Sequence, residues 1–196
     1  MKNKSNILLY LLVAFGCFAS SIKAQQAPAL TTAQLQDIVI MGETNINKFQ
    51  LFLDSKTNNE VKDIVGIYEN STIIFTIPIE RLNCKNQIIL YDFHNLVNAD
   101  QHPSVTIKID IEQFYRHINE RKESEPTVLE VSLSGQTRKI KTNNSSIKHM
   151  SGSKTLTGNA NIYLSEFLLE PPKKFMGLVR LNNKVNINFK ILITET

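Results

Sequence analysis

The sequence predicts an all-β domain, an antiparallel barrel or sandwich of seven or eight strands, and three observations point to it. The last third alternates with period two: Ala160, Ile162 and Leu164 face one way while Asn159, Asn161 and Tyr163 face the other, and Val185, Ile187, Phe189, Ile191 and Ile193 repeat the pattern. Similar β-branched and aromatic runs, separated by turn residues, recur along the chain. Only two segments carry a helical stripe, so no βαβ alternation is present. A closed barrel also removes the exposed edges that such strand-rich sequence would otherwise offer for aggregation.

The N-terminus is a targeting segment rather than part of that fold. Lys2 and Lys4 precede an apolar run from Ile7 to Phe18, and small or neutral residues lead to Ala24, the pattern of a secretory signal. The run is too short to span a membrane comfortably, and nothing later in the chain is longer, so no integral membrane span is expected. The organisation is therefore a signal over residues 1–24 and a single domain over 25–196, with a periplasmic or secreted location. Lipoprotein anchoring at Cys17 is the weaker reading, because a large aliphatic residue is expected where Ala14 stands.

The strands follow in order. Ile38 and Ile40 begin one, the turn-rich Gly42 to Asn47 ends it, and Phe49, Leu51 and Leu53 form the next. The polar, Asn-rich stretch Asp54 to Glu60 is a hairpin connection. Ser71 to Ile79 is a strand with Ile73, Phe75, Ile77 and Ile79 on one face, and Pro78 puts its end at an edge or bulge. Ile89, Phe93, Leu96 and Val97 make the stripe of a short helix over Ile88 to Val97, which would cross a barrel end or pack on its wall. Val105, Ile107 and Ile109 alternate as a strand; Ile111, Phe114, Tyr115 and Ile118 suggest a second helix, and the charged run Glu120 to Glu125 a solvated loop. Leu129, Val131 and Leu133 form a strand that turns at Ser134, Gly135 and Gln136 into Thr137 to Thr142. Pro171 and Pro172 lie at a turn or sheet edge, since neither can donate to a ladder.

Composition excludes several functions. The 22 basic and 18 acidic residues suggest a basic protein, but Lys2, Lys4 and Lys23 leave with the signal, so the mature chain is almost neutral and no nucleic-acid partner is implied. Cys84 is then the one mature cysteine, a small, partly buried side chain with no intramolecular disulfide. His94, His102, His117 and His149 are separated by 8, 15 and 32 positions, with no zinc-binding spacing, and no metal is expected. There is no G-x-S-x-G elbow, "GSKT" at Gly152 to Thr155 lacks the glycines of a phosphate loop, and Glu166 and Glu170 read as turn solvation rather than an acid and base pair. The chain therefore reads as a non-enzyme without a cofactor.

Three stretches carry a resemblance. They are "GETNINKF" from Gly42, the segment Ile77 to Ile109 with its "HP" at His102 and Pro103, and Leu156 to Ile193, where a "G-x-x-x-I-x-L" strand is followed by "PP" and "GLV". In these the chain resembles the YceI-like family of exported bacterial proteins, in the shorter, Bacteroidetes-type variant whose opening turn here reads Gly42, Glu43, Thr44 and Asn45. The resemblance spans about the whole mature chain and is weakest from Ile111 to Ser153.

That resemblance implies a lipocalin-like antiparallel up-and-down β-barrel of about eight strands, with one or two short helices, holding a polyisoprenoid, quinone-like or fatty-acyl lipid in its lumen. Phe49, Leu51, Phe75, Ile107, Val131, Ile162, Ile187 and Phe189 are the lumen candidates, and Tyr68, Tyr91, Tyr115 and Tyr163 could offer hydroxyls to a head group at a mouth. The alternation by itself establishes a core; the resemblance makes it a pocket. A non-enzymatic envelope interaction module with a filled barrel is the alternative, and a homodimer stays open.

Overall fold

The computed structural model describes residues 30–54, 56–57, 60–61, 64–69, 71–110, 112–113, 116, 126–171, 173–174 and 178–195. The expected signal segment with Cys17, and the stripe residues Ile111, Phe114, Tyr115 and Ile118 of the expected second helix, lie outside the described residues, while Glu112, Gln113 and Arg116 are helical.

Strand β1 (Leu30–Glu43) is long because its inward set changes phase once. Ala33 and Leu35 face in, a bulge between Leu35 and Asp37 shifts the register, and Ile38, Ile40 and Gly42 then face in. One edge of β1 pairs along most of its length with β14 (Lys184–Glu195). The other edge is shared: β2 (Lys48–Leu53) pairs with residues 39–43, and β5 (Ile64–Glu69) with residues 33–35. Between β2 and β5 the chain makes a small hairpin of β3 (Lys56–Thr57) and β4 (Glu60–Val61). So β2 and β5 together occupy one strand position.

The next position is split in the same way. β6 (Thr72–Pro78) pairs with β5, a 3₁₀ turn at Ile79–Arg81 follows, and β7 (Leu82–Cys84) pairs with β2. Pro78, which has no N–H to give, falls at the strand end as the sequence predicts. Helix α1 (Gln87–Leu96) comes next, then β8 (Ser104–Asp110), β9 (Val128–Leu133), β10 (Gln136–Met150) and β11 (Ser153–Tyr163). A 3₁₀ turn at Leu164–Phe167, the short pair β12 (Lys173–Lys174) and β13 (Val179–Arg180), and β14 complete the chain.

Neighbours in the sheet run β14, β11, β10, β9, β8, β6, β5, β1, and β14 pairs back onto β1. This is a closed, antiparallel, up-and-down barrel of eight strand positions, so the sandwich alternative is excluded. Several elements extend past their expected bounds: β1 starts before Ile38, β10 runs on to Met150, and β11 begins five residues before Gly158. The β9–β10 turn is the tight one expected, with Ser134 at φ 48° and Gly135 at φ 74°, the positive angles of a two-residue hairpin.

The inner face forms one continuous apolar core from Ala33 and Ile193 at one end to Leu164 and Val185 at the other. The outer face is largely polar, with Val65 and Ile67 on β5 as exposed exceptions. On β10, β11 and β14 the carboxamides of Asn143, Asn159, Asn161, Asn186 and Asn188 hydrogen-bond to one another across the strands. Apolar inside and polar outside is the reverse of a membrane-spanning barrel. Among the described residues no helix is long and apolar enough to cross a membrane.

Candidate functional site: an apolar lumen under a helix

The barrel is filled at one end and open at the other. At the end where β1 begins and β14 finishes, Leu35, Ile73, Phe75, Ile109, Leu156 and Ile193 are all buried to within 1% of complete. At the end where β1 finishes and β14 begins, the inward side chains enclose a cavity of about 170 Å³. Its wall comes from nearly every strand position, including Ile38, Ile40, Leu51, Ile107, Val131, Ile162 and Ile187, and its polar lining side chains are only Thr44 and Asp92.

Helix α1 covers this end. Asn86 caps it, its Oδ1 accepting from the backbone N–H of Ile88 at 2.9 Å and of Ile89 at 3.4 Å. Its other end is tied to the barrel by the Ser134 hydroxyl, which donates to the Val97 carbonyl at 2.5 Å. The stripe expected from sequence, Ile89, Phe93, Leu96 and Val97, lies over the lumen, and all four side chains line the cavity. The opposite side of the helix leaves Ile88 and Tyr91 exposed.

The second cover is the stretch before β14. Thr44 closes the β1–β2 turn, with its hydroxyl accepting from the Asn47 N–H at 2.9 Å. Asn45 then staples the stretch in place: its Nδ2 donates to the Leu178 carbonyl at 2.8 Å and its Oδ1 accepts from the Arg180 N–H at 2.9 Å. This brings Val179 and Leu181 onto the cavity. The residues Gly42, Thr44 and Asn45 of the opening turn motif therefore have an architectural use at the mouth.

Three glycines decide how the aromatic rings sit. Gly42 is opposite Phe49 and Gly158 opposite Phe189 in register, and a Cβ on either glycine would collide with the partner ring. Each ring therefore lies along the wall over the neighbouring strand, which keeps the lumen clear. At the filled end a Cβ on Gly66 would come within 2.6 Å of Ile73 Cγ2 and 2.9 Å of the Phe75 ring. There the glycine lets a ring occupy the core.

Seven of the eight lumen candidates, Phe49, Leu51, Ile107, Val131, Ile162, Ile187 and Phe189, are brought together around the cavity. Phe75 is fully buried in the filled end and is absent from the cavity lining. Sequence reasoning did not place Thr44, Val179 and Leu181 on the cavity, a position that for Val179 and Leu181 depends on the Asn45 staple, nor did it find strand β5, whose alternation is masked by outward-facing Val65 and Ile67. Of the tyrosines, Tyr91 and Tyr163 are exposed and do not line the cavity, and Tyr115 lies outside the described residues. Tyr68 sits on β5, opposite Ile73. Its hydroxyl is buried with no hydrogen-bond partner among the described residues, and burial pushes its pKa above the ordinary value of 10.0.

No catalytic constellation forms among the described groups. His94 is on α1, His102 packs its ring beside Gly135, and His149 is exposed on β10. Glu166 and Glu170 are exposed. Among the described residues no three His, Cys, Asp or Glu side chains come together to hold a metal ion. Cys84 is buried and free.

No protein-family model and no curated protein matches the chain. Among solved structures it is similar to a polyisoprenoid-binding domain from Saccharophagus degradans implicated in plant cell wall breakdown, with a TM-score of 0.61 at 10% identity over 84% of this chain and 98% of that one. Weaker similarities are to BcnA of Burkholderia cenocepacia (TM-score 0.48, 11% identity, 82% of this chain and 95% of that one) and to the YceI protein of Campylobacter jejuni (TM-score 0.45, 15% identity, 100% and 99%). The fold is thus shared with the Saccharophagus degradans domain, and it is the lipocalin-like, up-and-down barrel of eight strand positions expected from the sequence.

Proposed function

We propose that this chain is an exported, non-enzymatic carrier that holds the apolar tail of an amphiphile in its lumen. The observation that supports it most is the apolar cavity at the covered end of an otherwise packed barrel. Apolar cavities of roughly 150 Å³ stay dry and accept benzene-sized guests, so this one suits the end of a hydrocarbon chain. A longer tail requires the rings at the mouth to move, with α1 as the gate. Each buried CH₂ contributes about 0.8 kcal/mol, so a long chain binds tightly without polar contacts. The Saccharophagus degradans domain, of the same fold, is named for polyisoprenoid binding, which favours an isoprenoid; quinone-like and fatty-acyl lipids fit the same chemistry.

The signal pattern at residues 1–24 supports a periplasmic or secreted location. The test is native mass spectrometry of the mature protein purified from a periplasm, followed by organic extraction. A discrete added mass that extracts as an isoprenoid or acyl lipid is the expected result. A clean apo mass with no uptake from a lipid panel would replace this reading with that of an envelope interaction module.

A further inference from the structure

Helix α1 is apolar on both sides. Its inward stripe closes the lumen, while the residues exposed on its outer side, Gln87, Ile88, Tyr91 and Asn95, include no charged side chain. The helix has no Lys or Arg, and its one acid, Asp92, lines the cavity. A helix lying on a protein surface ordinarily turns charged and polar residues to the water, and one that is apolar all round is ordinarily buried. No residue of α1 is buried. Its outer side is therefore suited to a second apolar surface.

That side is continued on the other cover of the lumen. Ile46 stands in the β1–β2 turn, and Leu178 just before β13, where its carbonyl accepts from Asn45 Nδ2 at 2.8 Å. Ile46, Ile88, Tyr91 and Leu178 are between 62% and 74% exposed, and none of them lines the cavity. Their chain neighbours Ile89, Asp92 and Val179 do. Apolar side chains scattered singly over a surface are ordinary. Here they gather on the two segments that close one end of the barrel.

Charge selects what covers them. Lys85, immediately before α1, and Lys184, at the start of β14, are exposed and have no ion-pair partner among the described residues. Both line an open groove together with Ile89, so these cations stand beside the apolar covers. Lys48, in the same groove, lies 2.7 Å from Glu43 and offsets that acid. Of the exposed acids in the connections at this end, Asp100 follows the far end of α1, and Glu166 and Glu170 flank the exposed Leu168 after β11. Leu168 is for that reason left out of the surface. Exposed aliphatic side chains, a tyrosine with an apolar ring and a polar tip, and flanking lysines match the interface of a bilayer that carries anionic lipids.

We propose that the outer side of α1, with Ile46 and Leu178, docks on an anionic phospholipid bilayer, so that the covered end of the barrel faces the membrane. The choice of a bilayer rests on the carrier reading above. A tail that crosses from bilayer to lumen through this contact exposes little apolar surface to water on the way.

The experiment sediments the mature chain with vesicles of phosphatidylcholine, alone or mixed with phosphatidylglycerol, and separately measures uptake of a free fluorescent fatty acid from solution. The expected result is binding to the mixed vesicles that weakens without phosphatidylglycerol and at high salt. Ile88→Gln/Tyr91→Gln, at exposed helical positions, should lower vesicle partitioning roughly tenfold or more and leave fatty-acid uptake unchanged. Val65→Thr/Ile67→Thr, which changes the exposed apolar pair on β5, should preserve vesicle binding. An equal loss in that control would overturn the assignment to α1. Absence of vesicle binding with fatty-acid uptake intact would overturn the docking surface and leave the carrier reading standing. Vesicle binding without fatty-acid uptake would support the surface and overturn the carrier reading. A dimer in vesicle-free solution that Ile88→Gln/Tyr91→Gln dissociates would overturn the bilayer in favour of a second copy of this chain.

Discussion

The two ends of the barrel are built from the same alternating pattern and differ in outcome. At the filled end, Leu35, Ile73, Phe75 and Ile109 are almost completely buried and line no cavity; at the covered end, Ile38, Ile107, Ile162 and Phe189 surround a void. Hydrophobicity does not separate the two sets. Ring direction does: Phe75 fills the space that Gly66 leaves, whereas Phe49 and Phe189 are laid against the wall over Gly42 and Gly158. A barrel of eight strands is just wide enough for either result, so one ring per layer decides between core and pocket.

The comparison is broken most severely at the filled end. Phe75→Ala should destabilise folding by about 3–5 kcal/mol, because the tightly packed surroundings cannot collapse onto the gap. Urea unfolding measures this. Phe49→Ala, at a half-buried site on the mouth, should cost much less and should speed lipid release instead.

Gly158→Ala tests the ring-against-wall arrangement directly. The added methyl collides with the Phe189 ring, and overpacking of this kind costs about 1–3 kcal/mol. The displaced ring has only the lumen to move into, so lipid uptake should fall along with stability. Unchanged uptake would show that the ring does not control the cavity.

Ala160→Phe sharpens the contrast by converting the open end into a filled one. Ala160 faces the cavity from β11, and a ring there occupies space that is already empty. Stability should change by less than about 1 kcal/mol, while uptake of a fluorescent fatty acid should be lost. Retained uptake would mean that the tail does not occupy this lumen.

The smallest effect concerns Tyr68. Its folded pKa is raised by burial, so the neutral phenol is favoured in the folded state. Stability from this group is therefore present below its unfolded pKa of about 10 and is lost as pH rises through the higher folded value. Tyr68→Phe should flatten the alkaline end of a stability-against-pH curve and leave neutral pH little changed.

Much of this was legible in the sequence. Period-two runs such as Val185 to Ile193 mark strands because one face of each is wet, and Ile89, Phe93, Leu96 and Val97 mark α1 because their spacing makes one stripe. The hairpin at Ser134 and Gly135 follows from turn chemistry. Phe75 could not be told from Phe189, since both are inward aromatics on β-branched strands. Their difference lies in which glycine stands opposite, and that depends on a register set across strands far apart in sequence.

That closure has a kinetic side. The seam between β1 and β14 joins residues 32–41 to residues 186–194, almost the full length of the domain apart, and β11 also depends on β14 for one of its two ladders. A chain whose ring is completed by its most distant contacts must lose much loop entropy before those contacts reward it. Refolding should therefore fall in the millisecond-to-second range typical of non-local β proteins. Until β14 docks, the outer edges of β1 and β11 stay unpaired, so the last strand protects this protein from edge-to-edge association as well as completing its pocket.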